Sequence, residues 1–270
     1  MRLAEVRRAD LQALADRLLG SGADPSTIRG TFVPLRVIYR RALARDEVAV
    51  NPTSGLELPA VRGTRDRIAS PEEATALLEA LPARDRALWA TAFYAGLRRG
   101  ELRALAWPDV DLAAGIIRVQ RSWDQHEGAV DPKSRAGRRS VPMPAVLRDY
   151  LLEHRVSADR GEGLLFGRNA EHPFDPSTAT ERARRAWREA GLRPIGLHDA
   201  RHTFASLMIA AGVNAKALCT FMGHGSIQVP IDRYGHLMPG GEDEAAARLD
   251  TYLEQANAAA RAAALERQPA

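Results

Sequence analysis

The apolar residues of the first 56 positions recur at the spacing of amphipathic helices. A first helix is indicated by four residues that share one face, Leu11, Leu14, Ala15 and Leu18. A second apolar stripe begins after Asp24 and Pro25 and runs through Leu35, Ile38 and Leu43. Spacings of three, four and seven residues place side chains on one side of a helix. The pattern therefore predicts two helices, with Pro34 expected to kink or interrupt the second because proline lacks a backbone N–H.

A stretch rich in Asn, Pro, Gly and Ser, NPTSGLELPAVRGTR, follows without clear periodicity. Such residues favour turns over regular elements. We therefore expect a helical domain over residues 1–58, a linker over 59–66 and a second domain over 67–270. The second domain begins with a strong helix start, since Ser70 precedes Pro71 and an acidic residue, Glu73, follows three positions after the serine.

The pattern of the second domain alternates between helical and strand-like segments. RALWATAFYAGLRRGELRAL predicts two helices that meet between Gly96 and Gly100, with Trp89 and Phe93 buried and Arg98 at the turn. IIRVQR, the region around residue 133 and RRSVPM are short β-like runs separated by Gly and Pro, which indicate a small antiparallel sheet. Helical patterns return after residue 144, and the last, Ala-rich one covers 242–265. The predicted fold class is mainly α with a small antiparallel β-sheet (α+β).

Composition and charge narrow the function classes. The 270 residues are 45% hydrophobic and 27% charged, with a formal net charge of +4, as expected of a globular protein that binds a polyanion. The single cysteine, Cys219, cannot form an internal disulfide, and no apolar run approaches the roughly 18 residues of a membrane span. The amino terminus is charged, unlike a signal peptide. We therefore expect a cytoplasmic protein without membrane attachment.

The basic residues are strongly biased towards arginine, with 36 arginines and only two lysines, Lys133 and Lys216. An ammonium group can release a proton near neutral pH when its environment lowers its pKa, whereas a guanidinium group cannot. Lys133 lies among arginines in DPKSRAGRRSVP. This contrast suggests that Lys133 is a proton donor.

A group of polar residues on one predicted helix indicates phosphate chemistry. In HDARHTFASLMIAAG, His198, Arg201 and His202 share a face opposite an apolar stripe formed by Phe204, Leu207, Met208 and Ala211. His198 and His202 also have the i, i+4 spacing of paired zinc ligands, so a zinc hydrolase is an alternative. However, Asp199 stands where the HExxH motif has its glutamate, and no third ligand is indicated. We expect no metal and no other cofactor, in keeping with the lack of a P-loop pattern.

Several short motifs together resemble the catalytic domain of the tyrosine recombinases, the phage integrase family. They are AGLRRGELRALAWPDVD, the lysine hairpin, HDARHTF, MGHGS and DRYGH, in this order and spacing over residues 65 to about 238. Residues 1–58 more loosely resemble the end of that family's helical core-binding domain. The resemblance implies a site-specific DNA recombinase that cleaves and rejoins strands through a covalent 3′-phosphotyrosine intermediate, without metal or ATP.

The resemblance also implies the role of each site residue. The six catalytic positions fall on Arg98, Lys133, His198, Arg201, His224 and Tyr234. Tyr234 would attack the phosphodiester, and the two arginines would stabilise the charge that builds on the non-bridging oxygens. The two histidines suit hydrogen bonding and proton transfer, and the lysine would protonate the departing 5′-oxygen. Glu101 and His202 are candidates for support of these groups.

Other arginines are candidates for contacts with the DNA backbone. They are Arg99, Arg135, Arg138, Arg139, Arg182 and Arg185, although the helix that carries the last two can equally be a solvated face. The expected partners are double-stranded DNA, three further copies of the chain in a homotetramer on paired sites, and a possible accessory directionality factor.

Two departures from the family pattern leave an alternative open. Val229 and Pro230 occupy positions before the tyrosine helix where the family usually has threonines, and valine is a poor N-cap. The first domain is also shorter than is common in the family. The alternative is therefore a truncated or degenerate integrase that only binds DNA.

Overall fold

The computed structural model describes residues 2–61, 67–132, 134–158 and 161–223, together with Tyr234, Ala246, Asp250, Thr251 and Glu254. The chain forms two compact units, Met1–Arg65 and Asp66–Ala270, and their division falls within the segment predicted to be a linker. Each unit is described separately below.

The first unit is built on two helices. A short 3-10 turn, Leu3–Glu5, precedes α1 (Arg8–Gly20) and α2 (Pro25–Ala44). The Asp24 carboxylate accepts a hydrogen bond from the Ser26 amide at 2.9 Å and so caps α2, whose first residue is proline. A small core forms between the two helices from Leu11, Ala15, Ile28 and Phe32.

The second helix differs from the sequence expectation in two respects. Pro34 lies inside α2 and does not interrupt it, which leaves a kink as the form that its predicted effect could take. Its side chain is on the exposed side, where water can satisfy the carbonyl group that lacks an N–H partner. The buried stripe of α2 also differs from the predicted one, because Ile38 and Leu43 are exposed. Tyr39 is buried instead, and its hydroxyl group donates a hydrogen bond to the Leu3 carbonyl at 3.2 Å, as buried tyrosine hydroxyls usually find a partner.

The second unit begins with three helices, α3 (Pro71–Glu79), α4 (Ala83–Ala95) and α5 (Arg99–Ala104). Ser70 caps α3 by accepting a hydrogen bond from the Glu73 amide, as predicted. Trp89 and Phe93 of α4 are fully buried, as predicted, and Trp89 packs edge-on against Trp187 with ring centroids 4.7 Å apart. Helix α4 is thus the central element of the core.

In the described residues, five short strands follow and form two antiparallel sheets. The strands are β1 (Val110–Asp111), β2 (Ile116–Val119), β3 (Ser122–Asp124), β4 (Gly128–Val130) and β5 (Arg139–Pro142). The first sheet has the order β1-β2-β5, and the second pairs β3 with β4. In the first sheet Val119 lies opposite Arg139, and the inward side chains Ile117 and Val141 join the core. The predicted strands around IIRVQR and RRSVPM are confirmed.

Four further helices complete the described part of this unit, α6 (Ala145–Ala158), α7 (Pro176–Glu189), α8 (Leu197–Ala210) and α9 (Ala215–Met222). The apolar side of α8 contains Phe204 as predicted, but Ile209 is buried, whereas Ala211 lies just beyond the helix and is exposed. None of the described helices combines the length and apolar character needed to cross a bilayer. The fold is mainly α with small antiparallel sheets, as the sequence predicts.

Candidate active site

The turn between α4 and α5 places Arg98 at the edge of a cleft. Gly96 ends α4 in the left-handed conformation, with φ +61°, and a Cβ atom added to it would lie 2.2 Å from Cδ1 of Phe204. Only glycine fits both this conformation and this close approach. The Gly96 carbonyl accepts a hydrogen bond from Nη1 of Arg201. Gly96 thus lies two residues before Arg98 and binds Arg201, the two arginines to which the family resemblance assigns catalytic roles.

Glu101 connects three guanidinium groups. Its carboxylate accepts hydrogen bonds from the Arg98 amide and from Nη1 of Arg98, both at 2.8 Å. Arg139 approaches the same carboxylate with two nitrogens, at 2.9 and 2.8 Å. Nη1 of Arg201 lies 4.0 Å from it. One buried carboxylate thus faces three cations, and the cluster keeps a positive excess that favours an anionic ligand.

The end of α9 supplies a second set of acceptors to the same three arginines. The carbonyl groups of three successive residues each accept from a different guanidinium group. Arg139 donates to Phe221 at 2.6 Å, Arg201 donates to Met222, and Arg98 donates to Gly223 at 2.8 Å. The last carbonyls of a helix have no partners within the helix, and cations are favoured there. The helix end therefore orients all three arginines.

Burial and charge explain the pKa values of the cluster. Burial would raise the pKa of Glu101, but hydrogen bonds and charge from Arg139 and Arg98 outweigh it and lower the pKa to about 2. Burial lowers the pKa of Arg201 to about 9, and repulsion from Arg98 adds to this, while Glu101 opposes it. Both residues remain charged at neutral pH. An anion close to Arg98 and Arg201 would relieve their mutual repulsion.

The histidines of α8 lie next to Tyr234. His198 and His202 meet edge to face, with ring centroids 4.4 Å apart. Nδ1 of His202 makes a short hydrogen bond with the Tyr234 hydroxyl group, and both residues are buried. Within the described ranges, no group of three or more His, Cys, Asp or Glu side chains is arranged to hold a metal ion. The sequence predicted only a supporting role for His202, whereas in the structure His202 is itself hydrogen-bonded to the predicted nucleophile.

One cleft of about 990 Å³ contains the candidate residues. It is lined by Arg98, His198, Arg201, His202 and Tyr234. Four of the six residues implied by the family resemblance are thus brought together around one space. Lys133 and His224 lie outside the described residues, as do Val229 and Pro230.

The arginines predicted to contact DNA differ in their surroundings. Arg99 lines the cleft and is exposed. Arg138 and Arg185 are exposed elsewhere, and Arg138 pairs with Asp131 at 2.7 Å. For Arg135 the structure describes only the backbone, in the 3-10 turn Arg135–Gly137.

The other two, Arg139 and Arg182, are bound to the protein itself. The Arg139 side chain is only 2% exposed and binds Glu101, so the expectation of a DNA contact is corrected for it. Arg182 donates two hydrogen bonds, at 3.0 and 2.6 Å, to the buried carboxylate of Asp85. A guanidinium group held in this way joins α7 to α4, while a third of the Arg182 side chain remains exposed. By contrast Arg184, which was not singled out, lines the cleft and is exposed.

Comparison with known proteins identifies the family. The model of the phage integrase family matches residues 68–239. The chain belongs to the phage integrase family. This tyrosine recombinase family is a class of enzymes that transfer DNA strands, and the match covers the whole region in which the site is built.

Several relatives of this recombinase are themselves named recombinases or integrases. It is 26% identical to a XerC-like tyrosine recombinase of Caldanaerobacter subterraneus subsp. tengcongensis, over 93% of this chain and 72% of that protein. It is 28% identical to prophage integrase IntR of Escherichia coli K12, over 86% of this chain and 62% of that protein. It is 30% identical to tyrosine recombinase XerC 2 of Ralstonia nicotianae, over 83% of this chain and 67% of that protein. These relatives do not favour the alternative of a protein that only binds DNA.

Solved structures share the fold of this recombinase. The Tn1549 transposon integrase, in complex with transposon right end DNA, matches with a TM-score of 0.76 at 20% identity, over 93% of this chain and 87% of that one. A lambda integrase dimer bound to a COC′ core site matches with a TM-score of 0.63 at 17% identity, over 86% of this chain and 81% of that one.

Proposed function

We propose that this tyrosine recombinase cleaves and rejoins double-stranded DNA through Tyr234, which attacks a phosphodiester held by Arg98 and Arg201. The observation that supports this role is the contact between the Tyr234 hydroxyl group and His202, inside the cleft that both arginines line. A phenol is a weak nucleophile at neutral pH, because its usual pKa is about 10. Neighbouring cations and a hydrogen-bonding imidazole favour its deprotonation during attack.

The reaction conserves the number of phosphoester bonds. The Tyr234 oxygen forms a bond to phosphorus, and the bond from phosphorus to the 5′-oxygen breaks. The phenolic proton passes to Nδ1 of His202, which requires the tautomer with its proton on Nε2. The departing 5′-oxygen takes a proton from Lys133, and the products are a 3′-phosphotyrosine and a free 5′-hydroxyl. A 5′-hydroxyl from a second strand reverses these steps and completes the exchange, so no nucleotide is consumed.

The arginine cluster provides the electrostatic part of catalysis. Arg98 and Arg201 carry two positive charges into the cleft, while the single carboxylate of Glu101 is shared among three guanidinium groups. Negative charge grows on the non-bridging oxygens in the transition state, and oriented donors that are already in place stabilise it without reorganisation. His198 and His224 would donate further hydrogen bonds to the same oxygens.

The proposed assembly follows the partners of similar proteins. The similar integrases of Tn1549 and lambda are seen bound to DNA, which supports duplex DNA as the partner here. We further propose a homotetramer on paired DNA sites, an accessory factor that sets direction, and a cytoplasmic location. Residues 1–58 would act as the core-binding domain that grips the DNA.

A covalent capture experiment tests the role of Tyr234. The protein is incubated with a library of nicked duplexes of randomised sequence, and DNA that stays attached after denaturation is recovered and sequenced. We expect an adduct in which DNA is attached to the protein through its 3′-phosphate while the other segment of the cleaved strand is released with a free 5′-hydroxyl group. The adduct should be lost completely in Tyr234→Phe and kept in Tyr150→Phe. An adduct that persists in Tyr234→Phe, or a folded wild-type protein that forms none, would refute the proposal.

A further inference from the structure

We infer that Arg139 is a positioning residue of this active site, which fixes the carboxylate and the helix end against which Arg98 and Arg201 are oriented. The inference rests on the proposed function, because it assigns a role in the same DNA cleavage step. Arg139 is the first residue of β5 and lies opposite Val119 of β2. Its backbone is thus fixed by the sheet, while its side chain reaches away towards the catalytic helices.

The contacts of Arg139 join three separate elements. Its Nε donates to the Phe221 carbonyl at the end of α9, at 2.6 Å. Both terminal nitrogens bind the carboxylate of Glu101 on α5, and Nη1 also donates to the Gly137 carbonyl at 3.1 Å, in the turn before β5. Arg139 therefore couples the strand, the helix that follows Arg98 and the helix end that binds Arg98 and Arg201.

The position of Arg139 argues against direct contact with DNA. Its side chain is 2% exposed, whereas that of Arg98 is 40% exposed, and Arg139 is not among the residues that line the cleft. It can therefore act on the phosphate only through its neighbours. Two of those neighbours, Glu101 and the end of α9, also hold the guanidinium group of Arg98.

The geometry requires arginine and not only a positive charge. A planar guanidinium group can bind a carboxylate with two parallel hydrogen bonds and still direct Nε elsewhere, which an ammonium group cannot do. The turn at Gly223 is built around this group, because a Cβ atom there would lie 2.8 Å from Nη1 of Arg139. Gly223 also has φ +63°, a conformation that favours glycine. Because the fit is close, we expect a different side chain at position 139 to shift the end of α9.

Arg139 also determines how the charge of Glu101 is distributed. The charged groups that face Glu101 are Arg98 from the turn before α5, Arg139 from β5 and Arg201 from α8. Without Arg139, the carboxylate would be neutralised by Arg98 and Arg201 alone. Those two groups would then turn towards Glu101 and present less positive charge to a phosphate.

The test compares Arg139→Met and Arg139→Lys with wild type, using duplexes recovered in the capture experiment. Arg118→Met is the matched control, because Arg118 lies on the adjacent strand β2, pairs with Asp111 at 2.9 Å and does not line the cleft. We expect both Arg139 variants to slow adduct formation by about 100-fold at saturating DNA, since a displacement of about 1 Å can cost that much. DNA affinity should change less than threefold, about the scatter expected for a residue that makes no DNA contact.

The pH dependence separates positioning from a general loss of structure. In Arg139→Met, burial of Glu101 is no longer offset by its bidentate partner, so its pKa rises. The rate of the variant relative to wild type should therefore fall further as the pH is lowered from about 8 to about 5, because a neutral Glu101 no longer holds Arg98. The relative rate of Arg118→Met should stay constant over this range.

Three results would overturn the inference while leaving the role of Tyr234 intact. They are wild-type rates in folded Arg139→Lys, a loss confined to DNA affinity, and a relative rate of Arg139→Met that does not depend on pH. If Arg139→Met does not fold, the rate of Arg139→Lys still tests the inference, because lysine keeps the charge but cannot make the same set of hydrogen bonds. Failure of the wild-type protein to form an adduct would instead refute the proposed function itself.

Discussion

Replacing Glu101 with glutamine removes the charge that holds the arginine cluster together. The wild-type carboxylate is 4% exposed and accepts four hydrogen bonds, two from Arg98 and two from Arg139. Glutamine has almost the same shape, but it offers one acceptor oxygen, and its NH₂ group points donors at other donors. Three guanidinium groups would then share a small space without a counter-charge.

The structure gives the size and the pH dependence of this effect. Breaking a buried ion pair by removing one partner costs about 3–5 kcal/mol. The carboxylate pKa of about 2, against an ordinary value of 4.5, corresponds to roughly 3 kcal/mol of stabilisation, in agreement with that range. Because this pKa is lowered by folding, the stabilisation is complete above pH 4.5 and is lost as the pH falls from 4.5 towards 2.

Urea denaturation followed by tryptophan fluorescence measures this difference, since Trp89 and Trp187 are buried in the same unit. We expect Glu101→Gln to lower the free energy of unfolding by about 3–5 kcal/mol at neutral pH, and this gap to narrow in acid. Glu153→Gln, which changes an exposed carboxylate on α6, should cost no more than about 0.5 kcal/mol. A gap below about 1 kcal/mol for Glu101→Gln at neutral pH, or one that is unchanged in acid, would refute the electrostatic account.

Two further substitutions test how the site is supported. Gly96→Ala should destabilise the protein by about 2–5 kcal/mol, because alanine would adopt a left-handed conformation there and its Cβ would lie only 2.2 Å from Phe204. Thermal unfolding measures this loss, and a change below about 1 kcal/mol would contradict the geometry. Asp85→Asn should lower the unfolding free energy by about 2–4 kcal/mol, because Asp85 is buried and binds Nε and Nη2 of Arg182. The loss should be much smaller when Arg182→Met is already present. Additive effects in that double-mutant cycle would show that the pair is not coupled.

The periodicity of the chain determined most of the helices. Trp89 and Phe93 recur at helical spacing with no competing pattern, so the central helix of the core could be predicted from local sequence. Helix α2 was harder, because it has apolar residues on more than one side. Tyr39 is buried and its hydroxyl group reaches the Leu3 carbonyl, a contact between residues 36 positions apart that local periodicity cannot report.

The short motifs determined the chemistry, because arginine, histidine and tyrosine in this order indicate which groups meet a phosphate. They could not determine which arginines face the cleft. Arg138 and Arg139 are adjacent and look equivalent in the sequence, yet Arg138, just before β5, is exposed, and Arg139, the first residue of β5, is buried. Only the tertiary structure brings β5, α5 and the end of α9 together, and this meeting turns Arg139 from a candidate DNA contact into a partner of Glu101. A buried guanidinium group needs acceptors from distant segments, and their positions are set by the packing of the whole unit.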